Sequence, residues 1–256
     1  MVKYKLGQHF LTDQSVINKE IAFAELSSDD VVLEIGPGKG VLTQELAKRV
    51  RKVIAVELDH RLIKYLKQEI QSNVILIHKD VIDISWDELP SFTKVVANLP
   101  FQISSPFTFK LFETVFEKAV MIYQKEFAER MIAQPGSKSY SRLSVGVAYK
   151  AKCQIRLTIP PHSFSPPPEV FSSLVELVPY KTPPFHVIDE SFFFKITTLL
   201  FSHRRKKIGT ILKNSFSESI TKDVMFSSER VETLTPEEIG LLSNKLYPFR
   251  HYLKKQ

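Results

Sequence analysis

Val31-Val32-Leu33-Glu34-Ile35-Gly36-Pro37-Gly38-Lys39-Gly40 decides the reading of this chain. Residues 31–35 read as an apolar strand, and residues 41–49 as the helix that the glycine loop opens. Glycines allow positive φ and a close approach of backbone to ligand. A helix N-terminus adds free N–H groups and the positive end of a dipole. A strand, a glycine loop and a helix in that order are the setting of a nucleotide-like cofactor. Outward from the loop the same rhythm continues. Residues 53–57 read as a strand, and 61–70 as a helix with Leu62, Ile63, Leu66 and Ile70 on one face. Strands are expected at 74–78, 94–98 and 119–124, with a helix at 106–116. This βαβ alternation predicts an α/β fold with a doubly wound, mostly parallel sheet. Residues 154–159 and 173–178, joined by the proline-rich loop 160–168, predict an antiparallel edge pair, since proline cannot donate to a central ladder. The composition shifts at 179–184, where Pro183-Pro184 reads as a boundary. Helical spacing follows at 192–201, 207–216 and 236–247. Thr235 is the expected N-cap and Pro236 the first residue of the last helix. The expected division is therefore a cofactor-binding domain over 1–179 and a small helical domain over 180–256.

The chain as a whole narrows the function. Its 256 residues, 43% hydrophobic and 25% charged, suit a globular protein with one good-sized core and a small second domain. No apolar run approaches the ~20 residues of a membrane span, so no membrane partner is expected. Residues 1–6 lack the apolar core of a signal peptide. The single Cys153 forms no internal disulfide and excludes a cysteine-built metal site. The seven histidines are scattered without ligand spacing, so no metal is expected. These features together predict a cytoplasmic protein. The net charge of +7 suits a nucleic-acid partner, because Lys and Arg gain affinity by releasing phosphate counterions.

The glycine spacing separates cofactors. A pyridine-dinucleotide loop needs G-x-G-x-x-G, and here the third glycine comes one residue early, with Val41 in the place that should hold it. The pattern E-x-G-x-G-x-G resembles motif I of the S-adenosylmethionine methyltransferases. Gly36 and Gly38 are then the backbone positions that approach the cofactor. Glu57, ending the second strand, is placed to accept from both ribose hydroxyls. Asp80, after the third strand, is placed to accept from the adenine amino group. Asp83 and Asp87 are read as structural or capping acids.

The fourth strand ends in Asn98-Leu99-Pro100-Phe101, which resembles the N/D-P/I/L-P-Y/F/W motif of amino methyltransferases. The N6 lone pair of adenine is delocalised into the ring and is a poor nucleophile. The Asn98 side-chain oxygen and the Leu99 carbonyl can both accept from N6–H. Those hydrogen bonds favour a pyramidal nitrogen and stabilise the charge that develops on it. Pro100 holds the turn, and Phe101 can stack on an extruded base. Asn98 also borders the cofactor. Attack needs no general base, because the proton can leave after transfer, and alignment supplies much of the rate.

With these motifs in series, the chain resembles the KsgA family of ribosomal RNA adenine dimethyltransferases over nearly its full length. The matching segments are Leu6-Gly7-Gln8-His9-Phe10-Leu11, the 34–40 loop, Glu57, Asp80 and Asn98–Phe101 with Ile103-Ser104-Ser105-Pro106. They continue through Pro161–Val170 and Phe201-Ser202-His203-Arg204-Arg205-Lys206. The resemblance implies a Rossmann-like class I methyltransferase sheet, S-adenosylmethionine as cofactor, and N6-dimethylation of two adjacent adenosines. Those adenosines lie in a hairpin loop near the 3′ end of small-subunit (16S) RNA, within a pre-30S particle, and the enzyme serves small-subunit biogenesis as a monomer. It also implies that Gln8, His9 and Leu11 fold over the cofactor and that Phe164 lies near the target-base pocket. Two departures occur: His9 stands where bacterial members often have Asn, and Phe101 where Tyr is more usual. The short N-terminus and Gln102–Pro106 resemble archaeal members. The densest basic run, His203-Arg204-Arg205-Lys206-Lys207, is the expected RNA contact of the helical domain, although such a run is usually a solvated face. Three other readings stay open: an Erm-type enzyme acting on 23S RNA, a non-catalytic ribosome-assembly or nucleic-acid-binding factor, and, more remotely, a nicotinamide oxidoreductase.

Overall fold

A computed structural model describes residues 9–217 and 224–253. Strand β1 (Phe10–Leu11) precedes helix α1 (Gln14–Ala24), and the β/α alternation follows: β2 (Val31–Ile35), α2 (Val41–Ala47), β3 (Lys52–Glu57), α3 (His60–Glu69), β4 (Val74–His78), β5 (Lys94–Asn98), α4 (Ser104–Leu111) and β6 (Lys118–Gln124). Helices α5 (Lys125–Met131) and α6 (Arg142–Lys150) lead to β7 (Ala151–Ile159), β8 (Phe164–Ser165) and β9 (Ser172–Pro179). Helices α7 (Glu190–Ser202), α8 (Ile208–Ser215) and α9 (Pro236–Leu246) close the described chain.

Seven strands form one sheet in the order β4-β3-β2-β5-β6-β9-β7. The first five run parallel, with Leu33 opposite Ile54 on one side and Val95 on the other, and Asn98 opposite Ile122. β9 turns antiparallel against β6, with Leu174 opposite Ile122, and β7 takes the edge beyond it. The mostly parallel sheet with an antiparallel edge is therefore the one expected. Every residue of β2 is buried, which its central place requires. Strand order reverses between β2 and β5, and in such sheets ligands bind outside the carboxyl ends at that switch point. A separate two-stranded pair joins distant segments, with Phe10 opposite Ser165 and Leu11 opposite Phe164.

Helix α1 is not among the helices expected from the sequence. Asp13 caps it, its carboxylate accepting from the Ser15 N–H at 2.9 Å. The helix expected at 106–116 instead begins at Ser104, after a 3₁₀ turn over Phe101–Ile103, and ends at Leu111. Cys153 on β7 is half-buried, and burial pushes its thiol up to about 12, so it stays protonated at neutral pH.

The chain divides into two compact units. One takes the described residues up to Ala128 together with Lys152–Pro179, and the other takes Glu129–Ala151 and the described residues from Tyr180 on. The second unit is helical, built round an aromatic core. Tyr149 packs 5.1 Å from both Phe185 and Phe193, ring centre to ring centre. Helix α9 starts as its sequence dictates, with Pro236 at its first turn. The Thr235 hydroxyl accepts from the Glu238 N–H at 3.2 Å, and the Glu238 carboxylate accepts from the Thr235 N–H at 2.8 Å. Among the described residues no helix is long and apolar enough to cross a membrane.

Candidate active site

A cavity of about 470 Å³ opens at the carboxyl ends of β2, β3, β4 and β5. Its floor is the glycine loop. Gly36, Gly38 and Gly40 all have positive φ, at 69°, 59° and 80°. At Gly38 the need is twofold, because a Cβ there would also stand 2.9 Å from the Phe10 ring. Strand β1 thus lies directly on the loop, and the Lys39 ammonium sits 5.4 Å from the centre of the same ring. On its other flank the loop meets the Asn98–Phe101 turn. A Cβ at Gly36 would be 3.5 Å from Pro100 Cδ and 3.7 Å from the Asn98 carbonyl oxygen.

Acids line this cavity. Glu57, at the end of β3, is buried, and its two oxygens accept from the Gly38 N–H at 3.2 Å and the Asp59 N–H at 2.8 Å. Burial raises its carboxyl above the usual range, and those N–H donors work against the rise. Each oxygen keeps a lone pair for a further donor. Asp80, after β4, accepts from the Ile82 N–H at 2.9 Å and borders the same space. Glu34 faces the cavity from β2 and is almost wholly buried. Burial pushes its carboxyl up to about 8, against the pull of the Thr43 hydroxyl, and Oε2 has no hydrogen-bond partner among the described residues. Asp83 completes the set.

The turn after β5 holds the reactive groups. The Asn98 Nδ2 donates to the His9 carbonyl at 3.3 Å, which fixes the amide and leaves Oδ1 as the open acceptor. The Leu99 carbonyl accepts no hydrogen bond from the described backbone. The two acceptors are thus adjacent on one turn, in a wall of the cavity. Phe101 is half-buried beside them and stacks on His9, with centroids 5.9 Å apart and planes at 29°.

This donor and acceptor set fits S-adenosylmethionine. Glu57 and Asp80 offer acceptors for ribose hydroxyls and an adenine amino group. Leu58, Leu62, Val81 and Ile82 supply apolar walls for a base. Glu57, Asp80 and Asp83 against Lys39 and Lys79 favour a cationic sulfonium over a pyrophosphate. A dinucleotide is disfavoured on charge as well as on glycine spacing.

Of the expected site residues, His9, Leu11, Gly36, Gly38, Glu57, Asp80, Asn98, Leu99, Pro100 and Phe101 all border this one cavity. Gln8 lies outside the described residues. Phe164 is 3% exposed and packs in the core with Leu11, Ile17, Val120 and Leu174, and its neighbour Ser165 takes the place on the cavity wall. Asp87 lies within a 3₁₀ turn that Ser85 caps, and it accepts from the Ser85 hydroxyl, but Asp83, read with it as structural, lines the cavity. Glu34, the acid that opens the E-x-G-x-G-x-G pattern, is legible in the sequence as a lone acid in an apolar strand, and only the fold places it on the cavity wall. In the helical unit, Arg205, Lys206 and Lys207 are exposed. Arg204 is engaged: its guanidinium donates to the Glu232 carboxylate at 2.9 Å and to the Lys138 carbonyl at 3.1 Å.

Residues 1–246 match the family described as "Ribosomal RNA adenine dimethylase". A "Probable ribosomal RNA small subunit methyltransferase A" from Methanococcus maripaludis is 46% identical over 95% of this chain and 97% of its own length. A protein of the same name from Pyrococcus abyssi is 45% identical over 96% of this chain and 92% of its own. Among solved structures, a dimethyladenosine transferase from Plasmodium falciparum superposes with a TM-score of 0.81 at 28% identity, covering 96% of this chain and 99% of that one. The 23S rRNA methyltransferase ErmE superposes with a TM-score of 0.69 at 26% identity, covering 93% and 99%.

Proposed function

The chain belongs to the ribosomal RNA adenine dimethylase family, and we propose that it transfers methyl groups from S-adenosylmethionine to N6 of two adjacent adenosines near the 3′ end of small-subunit (16S) RNA. The target lies in a hairpin loop, met within a pre-30S particle in the cytoplasm. The enzyme works as a monomer and contributes to small-subunit biogenesis. Full-length relatives named for the small subunit support this assignment over the large-subunit one, since identity to them is far above that to ErmE.

The observation that carries the chemistry is the pinned Asn98 amide. S-adenosylmethionine, when bound, supplies a methyl group on a sulfonium. The chain supplies alignment. Asn98 Oδ1 and the Leu99 carbonyl accept from the two N6–H bonds of an extruded adenine, which draws the lone pair out of conjugation with the ring. Because His9 already holds the amide nitrogen, the acceptor does not have to reorganise as charge builds on N6. Phe101 offers the face on which the base stacks, and Pro100 keeps the turn tight against Gly36. Glu57 and Asp80 hold the ribose and adenine of the cofactor, with Gly36 and Gly38 giving its backbone approach. Residues Arg205, Lys206 and Lys207 grip RNA phosphates from the helical unit, while Arg204 braces the loop that presents them. Phe164 supports the base pocket from the core by fixing the strand pair that carries Leu11 and Ser165.

The test is to incubate the protein with labelled S-adenosylmethionine and unmodified small or large subunits and to map the label. Dimethyladenosine at two adjacent sites near the small-subunit 3′ end is the expected result. Label on large-subunit RNA, or none on either particle, would contradict it.

A further inference from the structure

His9 makes more contacts at the adenine site than a cofactor cover requires. Its Nδ1 lies 2.8 Å from the Pro166 carbonyl oxygen. A carbonyl only accepts, so Nδ1 carries the proton and the ring is fixed in one orientation. The held ring stacks against Phe101 at 5.9 Å and 29°. The backbone carbonyl of the same residue accepts from Asn98 Nδ2 at 3.3 Å. One residue therefore meets both the stacking ring and the acceptor amide, and ties them to the turn at Pro166.

We propose that the His9 imidazole is a positioning residue of the methyl-acceptor site, bracing one face of Phe101 so that the opposite face is set for the base. The proposal rests on the functional reading above. The gain from such bracing is entropic. A half-buried phenylalanine on a turn samples several rotamers, and each one that turns the ring away costs productive encounters. A ring stacked behind it, itself locked by a hydrogen bond, removes those alternatives before the base arrives. The carbonyl contact to Asn98 is made by the backbone and survives any side-chain substitution. Side-chain variants thus isolate the bracing of Phe101.

Three variants separate the parts. His9→Asn keeps an N–H near the Nδ1 position but loses the ring, His9→Phe keeps a ring but loses the tie to Pro166, and His9→Ala loses both. Single-turnover transfer at saturating S-adenosylmethionine should fall about tenfold in His9→Ala, the scale of one lost aromatic contact. His9→Asn and His9→Phe should each recover part of that loss. Cofactor affinity is measured by calorimetry alongside, and saturation keeps any change in it out of the transfer rate. In a Phe101→Ala background the His9→Ala substitution should cost less than about twofold, because the ring it braces is gone. A full tenfold loss in that background would overturn the proposal, as would a defect seen only as weaker cofactor binding. A readout without RNA keeps the test alive if the parent enzyme proves inactive on small subunits. The His9 ring protons should carry an upfield ring-current shift in the NMR spectrum that disappears in Phe101→Leu. Its absence from the parent protein would overturn the stacking, whatever the substrate.

Discussion

The paired strands β2 and β5 have buried acids at both ends, and the two ends treat them in opposite ways. At the amino end, Asp30 accepts from the Ser27 N–H and the Thr93 hydroxyl, each at 2.7 Å, and pairs with Lys94 at 3.0 Å. Burial pushes this carboxyl up, yet those partners hold it below the usual range. At the carboxyl end, Glu34 is 1% exposed against 5% for Asp30, but one of its oxygens is unpartnered and its carboxyl sits at about 8. Behind it Glu20, on α1, is fully buried with neither oxygen hydrogen-bonded among the described residues. Burial, and then the nearness of Glu34, hold it well above the carboxylate range. A buried acid that serves folding comes with its partners; one left open toward a cavity is held in reserve for a ligand. The amino end is arranged for stability, and the carboxyl end keeps unpartnered acids at a cost in stability, the pattern expected where a site is built.

The largest effect should come from breaking the amino end. Lys94→Met leaves Asp30 buried without its cation and should cost about 3–5 kcal/mol in urea unfolding at neutral pH. The rate per folded molecule should not change. Asp30 has a lowered carboxyl, so its contribution is present above the unfolded carboxylate range and is lost as pH falls through the folded value. Parent and variant stabilities should therefore converge in acid. A loss in transfer rate with intact stability would reverse the roles assigned to the two ends.

At the carboxyl end the first effect is on affinity. Glu57→Ala should weaken S-adenosylmethionine binding by about 1.5–3 kcal/mol, the scale of hydrogen bonds to a charged group. Calorimetric titration of a variant whose melting shows it folded is the check, and unchanged affinity would remove the ribose assignment. A second variant at this end, Glu20→Gln, is read on stability. The raised Glu20 carboxyl stays protonated in the folded chain while its unfolded counterpart ionises. Stability therefore falls as pH rises from the unfolded value near 4.3 toward the folded one, by up to about 1.4 kcal/mol per pH unit. The variant should gain on the parent as pH rises above the unfolded carboxylate range, and a gap that does not widen with pH would show that Glu20 is ionised in the fold. The smallest effect lies in the helical unit. Neutralising Arg205, Lys206 and Lys207 should flatten the salt dependence of RNA binding by about 0.7–0.9 log units per lost phosphate contact. Arg204→Ala should instead lower the melting temperature, since its guanidinium is spent on Glu232 and Lys138.

Much of the site was legible because it is local. The glycine loop, Glu57, Asp80 and Asn98–Phe101 each end or follow an apolar strand, and a parallel sheet gathers strand ends by its topology. What escaped depends on contacts between distant segments. β1 and β8 have two residues each and exist only because Leu11 meets Phe164. Helix α6 holds Val145, Gly146 and Val147, which favour a strand or a turn when read alone. Residues 129–151 join the helical unit through rings such as Tyr149 on Phe193, a grouping that no neighbouring residue announces. Helix α1 was hidden partly by Glu20, a charged residue on its buried face. Phe164 illustrates the limit of motif reading: its segment borders the cavity through Ser165, while its own side chain fills the core.

The role proposed for Asn98, at the carboxyl end of β5, is to act on the reacting nitrogen. The direct measurement is single-turnover methyl transfer to unmodified small subunits by Asn98→Ala at saturating S-adenosylmethionine, with dimethyladenosine read by mass spectrometry. The account predicts a rate lower by ~10²–10³, the effect of one preorganised hydrogen bond lost from the transition state, with melting and RNA binding as in the parent. Asn98→Ala transferring methyl groups at the parent rate would contradict it.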